Sequence, residues 1–177
     1  MSKLLESVIE SWDGRPIDKN YFIGDSRFSI SAKDYSLKGI NTKSETYRHP
    51  QKVPFKPDYT AYGIMVEVPK KGKLIDVVII GFNSQEDVLD CLQIQGARGS
   101  YRELKPLRWD RALLNSTKIL AKESELDAVL LVPAHLVEGW NWINSERLQL
   151  RYNINAESQN FKYSDSMERY VLDLKKV

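Results

Sequence analysis

Apolar residues near the start of the chain recur at helical spacing. Leu4, Leu5, Val8, Ile9 and Trp12 fall on one face, predicting an amphipathic helix that Asp13-Gly14 and then Pro16 bring to an end. Residues 21–30 read as a short strand around Phe22, Phe28 and Ile30, interrupted by the turn chemistry of Gly24-Asp25-Ser26. From 31 to 59 the periodicity stops. Lys33, Lys38, Lys43, Arg48, Lys52 and Lys56 accumulate beside Pro50, Pro54 and Pro57, predicting a long basic loop with room for one short helix. Loops of that length in a compact domain are usually functional or disordered.

Order returns at Tyr62. Residues 62–68 are strand-like, 69–73 form a polar turn around Gly72, and 74–81 make a second strand, apolar nearly throughout and therefore expected to be covered on both faces. After a polar turn at 83–87 comes a third strand, 88–95, so the three form an antiparallel meander. The period then changes. Residues 96–105 read as a loop, and Pro106 suits a helix's first turn, where its missing N–H costs nothing. Trp109, Leu113, Thr117, Leu120 and Ala121 share one face of a helix reaching about Ser124. A fourth apolar strand, 126–132, stops at Pro133, and the order strand, helix, strand predicts a βαβ unit with parallel strands.

Beyond His135 two periods compete. Leu148, Tyr152 and Ala156 lie one helical turn apart, yet Leu148, Leu150, Tyr152 and Ile154 alternate as in a strand. Ser145 as a cap and Asn160 as a left-handed end favour a helix over 145–159, followed by a last strand at 170–174.

At 177 residues the chain suits a single domain, and with 42% apolar and 28% charged residues a folded core is expected. No apolar run is long enough to cross a bilayer, and the first residues lack the features of a secretory signal, so the expectation is a cytoplasmic protein without a membrane. The lone Cys91 has no disulfide partner, and its apolar setting suits a core position better than a nucleophile. With His49 and His135 as the only histidines, no familiar metal-ligand spacing exists, so no metal is expected. A net charge of +2 is too small to imply nucleic acid by itself. The charge is concentrated, however, in the basic loop and in Arg98, Arg102, Lys105, Arg108 and Arg111.

The fold expected is thus α/β in the α+β sense: a mixed sheet in which an antiparallel meander leads into a βαβ unit and a closing helix and strand. This order resembles the GNAT superfamily of acyltransferases from Tyr62 onward, over about two thirds of the chain. The resemblance implies that the strands before and after the central helix splay apart. The pantetheine arm of an acyl-CoA would lie in the opening like an added strand, with its pyrophosphate at the helix N-terminus. Free N–H groups and the helix dipole attract phosphate oxygens there.

On this chain the splaying strand is 88–95 and the phosphate loop lies within 96–107. Gln95-Gly96-Ala97-Arg98-Gly99-Ser100 stands where the family has Gln or Arg, two residues, Gly, one residue, then Gly or Ala, and its spacing differs. Asn160-Phe161 takes the place of the closing glycine-phenylalanine pair. The tyrosine that protonates the leaving thiolate in many members would fall on Ala156, and Tyr152 lies one turn earlier on the same face.

Candidate cofactor contacts are therefore Gln93 and Gln95, which share a strand face, with Gly96 and Gly99 for close backbone approach and Arg98 and Arg102 for phosphate. Tyr152 and His135 are the candidate catalytic residues: an acid for the thiolate, and a base suited to neutral pH just past a strand end. The implied activity is N-acyl transfer from acetyl-CoA or another acyl-CoA to a small-molecule or protein amine. A second expectation is a relative that has lost catalysis and binds a protein or small molecule. Nucleic-acid binding through the basic segments is the least favoured. The acyltransferase expectation requires the slot between the parted strands to be empty of the protein's own side chains.

Overall fold

The computed structural model describes residues 3–23, 34–41, 60–97, 101–137 and 145–176. The opening helix, α1 (Lys3–Glu10), buries Leu5 and Ile9. Two strands follow that were not expected, β1 (Arg15–Pro16) and β2 (Ser36–Asn41). β2 lies inside the segment expected to be loop. It escapes a periodicity search because its two buried side chains, Leu37 and Ile40, are three residues apart and so break the strand's alternation. Tyr21, expected in a strand, sits in a 3-10 turn (Lys19–Tyr21), and Phe22 makes one isolated bridge to Leu107. Residues 24–30 of that expected strand, and 31–33 and 42–59 of the basic loop, lie outside the described residues.

The meander is present as β3 (Tyr62–Lys70), β4 (Lys73–Gln85) and β5 (Val88–Gly96). Lys71 and Gly72 turn β3 into β4 with both φ angles positive (52° and 77°), the geometry that matches hairpin twist and that glycine makes cheap. β4 is covered on both faces, as its apolar run predicted. Val78 and Ile80 join the main core, while Ile79 packs with Ile40, Met65 and Ala97 on the other side. A short helix α2 (Tyr101–Leu104) interrupts the expected loop, and α3 (Trp109–Glu123) starts with Arg108 as its cap, so Pro106 precedes the helix instead of opening it. β6 (Ala128–Leu131) follows.

The segment expected to be helical from 145 is helical, with a twist. It runs through α4 (Ser145–Gln149), a π-helical turn (Leu150–Ile154) and α5 (Asn155–Ser158). Burial falls on Leu148, Tyr152, Asn155 and Ala156, whereas Leu150 (60% exposed) and Ile154 (47%) face outward, so the helical period prevails over the strand-like alternation. β7 (Lys162–Ser164), not foreseen, pairs with β8 (Arg169–Asp173).

The strands form one eight-stranded mixed sheet, in the order β1-β2-β3-β4-β5-β6-β8-β7. β5 and β6 are its parallel neighbours, and the other pairs are antiparallel. α1 packs on β2 and against α3, which lies over β3 to β6. Leu113, Leu114, Leu120 and Ala121 of α3 are fully buried there, each leucine contributing roughly 1.5–3 kcal/mol.

Candidate functional site where β5 leaves β6

The parallel pair is short. Val88 to Cys91 register with Ala128 to Leu131, the Val132 N–H reaches the Cys91 carbonyl at 3.0 Å, and no further rung follows. Pro133 then turns the chain into a 3-10 turn (Ala134–Leu136) while β5 runs on to Gly96. At the same level β5 carries a β-bulge. Cys91 opposes Phe82 and Gln93 opposes Gly81, leaving Leu92 without a partner on β4. A bulge bends its strand and increases local twist, which helps β5 diverge from β6. Pairing between β5 and β6 therefore stops at this level, where the resemblance implies that the two strands part.

Divergence leaves the Ile94 backbone without a β6 partner, and the π-helical turn supplies one. The Ile94 N–H donates to the Tyr152 hydroxyl at 2.7 Å, and that hydroxyl lies 3.3 Å from the Ile94 carbonyl, to which it donates in turn. Arg151 adds a guanidinium bond to the same carbonyl at 3.3 Å, with its guanidinium 4.7 Å from the centre of the Trp109 ring. Tyr152 is 1% exposed. Burial pushes its phenol up, partly countered by the Ile94 bond and by Arg151, so it stays protonated at neutral pH. Alongside, Asn153 accepts the Ala134 N–H at 2.8 Å and ties the helix to the end of β6. At the level of Ile94 the opening is thus filled by the protein itself.

The candidate residues divide accordingly. Tyr152 is at the divergence, but as a buried backbone partner. Gln93 and Gln95 share a strand face as expected, and Gln93 Nε2 donates to Gln95 Oε1 at 2.6 Å, so the two amides meet each other. Gly96 is overlain by the protein: a Cβ there would stand 3.1 Å from Leu104 and 4.0 Å from the Trp109 ring. Arg102 is exposed on α2, and His135 is exposed on its 3-10 turn, where no described hydrogen bond engages its ring. Arg98 and Gly99 lie outside the described residues.

Two charged groups at this end of α3 were missed by the sequence reading. Burial lowers the pKa of Arg151, and burial raises that of Asp110 against the pull of Arg111 and Arg151. Arg151 gave no local signal because its partners, Ile94 and Trp109, are distant in sequence. Cys91 is fully buried, and burial raises its thiol well above the ordinary range, which keeps it a core residue and not a nucleophile. Among the described residues no three His, Cys, Asp or Glu side chains gather as a metal set, and no helix is long and apolar enough to cross a membrane. No protein-family model matches the sequence, and no curated protein matches it either.

Proposed function

We propose that this chain is a GNAT-like domain that serves as a binding module for a protein or small molecule and no longer uses the strand divergence to hold acyl-CoA. Support for the relationship comes from the order of elements: a meander, a crossover helix, a short parallel pair that parts at a bulge, and a closing helix whose following hairpin sets β8 next to β6. Support for the loss of acyl transfer is one observation. Both backbone groups of Ile94, which an extended amide chain would need as partners, already bond the Tyr152 hydroxyl. The same hydroxyl beside a free strand end is what an acyltransferase reading would use as its acid, so that reading is the competitor.

Thermal unfolding with and without CoA, acetyl-CoA and a longer acyl-CoA separates the two. A cofactor at about a hundred times its dissociation constant stabilises a protein by roughly 2.7 kcal/mol, or about 5–11 °C in Tm for this size. The expected result is no shift at millimolar concentrations. A saturable shift, together with CoA release in the presence of amines, would establish the acyltransferase instead.

A further inference from the structure

Away from the divergence, residues 15–23 run beside α3 as a strap fastened at both ends. At one end Arg15 grips Glu123 through two nitrogens, at 2.7 and 2.6 Å. At the other, the Arg108 N–H donates to the Tyr21 carbonyl and the Ile23 N–H to the Pro106 carbonyl, both at 2.8 Å. Between the fastenings lies a cavity of about 240 Å³, the share of roughly eight waters in the liquid. Its walls are mainly apolar, with Ile17 and Pro16 from the strap, Leu37 from β2, and Ala112 and Ile119 from α3.

Four polar residues also line this space, and the polar group of each has bonding capacity left among the described residues. The Tyr21 hydroxyl, the Asn115 amide and the hydroxyl of Ser116, a residue only 6% exposed, take no side-chain hydrogen bond from the described residues. Asp18 spends one carboxylate oxygen on the Asn20 N–H at 2.9 Å, and its other oxygen takes no described partner. The cation in the lining, Arg15, is already matched by Glu123. Arg111, one turn before Asn115, acts on the Tyr21 phenol in the sense opposite to Asp18, and it is not among the residues that line the cavity. The uncommitted charge among the lining residues is therefore the negative charge of Asp18, an exposed residue, beside apolar walls with neutral donors and acceptors.

We propose that the space beneath this strap is a binding site for a small organic cation, its ammonium against Asp18 and its apolar body between Ile17, Leu37 and Ile119. Apolar walls with a few convergent polar groups are the usual make-up of a small-molecule site. The inference goes beyond the reading of the β5–β6 divergence and does not depend on it.

The test is a titration of the full chain with phenethylamine, followed by amide chemical shifts. The matched anion 3-phenylpropanoate serves as the comparison. Saturable shifts confined to residues 15–21 and 112–119 are expected with the amine, in the millimolar range suited to so small a probe, and not with the anion. Asp18→Asn keeps an oxygen for the Asn20 N–H and so preserves the turn, yet should weaken the amine about tenfold or more. Ile119→Trp, at a partly exposed rim position, should abolish it. Absence of saturable shifts in wild type, equal binding of the anion, or indifference to Asp18→Asn would each overturn the assignment.

Discussion

Removing the Tyr152 hydroxyl tests the central contact most directly. In Tyr152→Phe the ring keeps its buried place, so little apolar burial is lost, but the Ile94 N–H loses its 2.7 Å acceptor inside the protein. The Ile94 carbonyl keeps Arg151 at 3.3 Å and is not orphaned. The cost is therefore that of one unsatisfied buried donor, about 1–3 kcal/mol. For a chain of this length about 2 kcal/mol lowers Tm by roughly 4–8 °C. Thermal unfolding by circular dichroism and urea titration would both register it. Native-state hydrogen exchange should show the Ile94 amide losing protection while the β3–β4 amides keep theirs. A Tm within about 1 °C of wild type, with the Ile94 amide still protected, would mean that the hydroxyl does not close the divergence, and the proposed function would lose its support.

Two further substitutions probe the frame around this site. Gly39→Ala should cost about 3 kcal/mol, read as a lower urea midpoint, because a Cβ there lands on the Ile9 carbonyl and stands 2.9 Å from its side-chain methyl; a loss under about 1 kcal/mol would mean that α1 does not lie so close to β2. Asp76 faces Glu67 across β3 and β4, and burial, then the Glu67 charge, raise its pKa above the ordinary 3.8. A carboxyl whose folded pKa is raised contributes full stability below its unfolded pKa and loses it as pH rises through the folded one. Asp76→Asn should therefore raise Tm at pH 7, and the advantage should shrink as pH falls through the raised folded pKa and be lost below about 4, the unfolded value; an equal effect at pH 7 and below about pH 4 would refute the assignment.

The elements legible in the sequence were those with strong local periodicity. α1, the β3–β5 meander, α3 and β6 each bury a regular set of side chains, so hydrophobic spacing along a single segment was enough to indicate them, and the change of period after Gly96 indicated the crossover. Where a residue's state depends on a distant partner, no such signal exists. β2 is a strand because β3 lies beside it, although Lys38 and Gly39 sit between its two buried side chains, and β7 is one because β8 returns past it.

The candidate site divides in the same way. Pairing ends after Cys91 because β6 stops at Leu131 while β5 runs on to Gly96, and the resemblance implied a parting at that place; the bulge at Leu92 had no signal in the sequence. What fills the opening was decided only by the tertiary structure. Tyr152 is 58 residues from Ile94, and the π-helical turn that carries it is what brings the hydroxyl to that backbone. A buried backbone N–H takes whichever acceptor the packed fold delivers, and helical periodicity marks the delivering side chain as buried without revealing the group it meets.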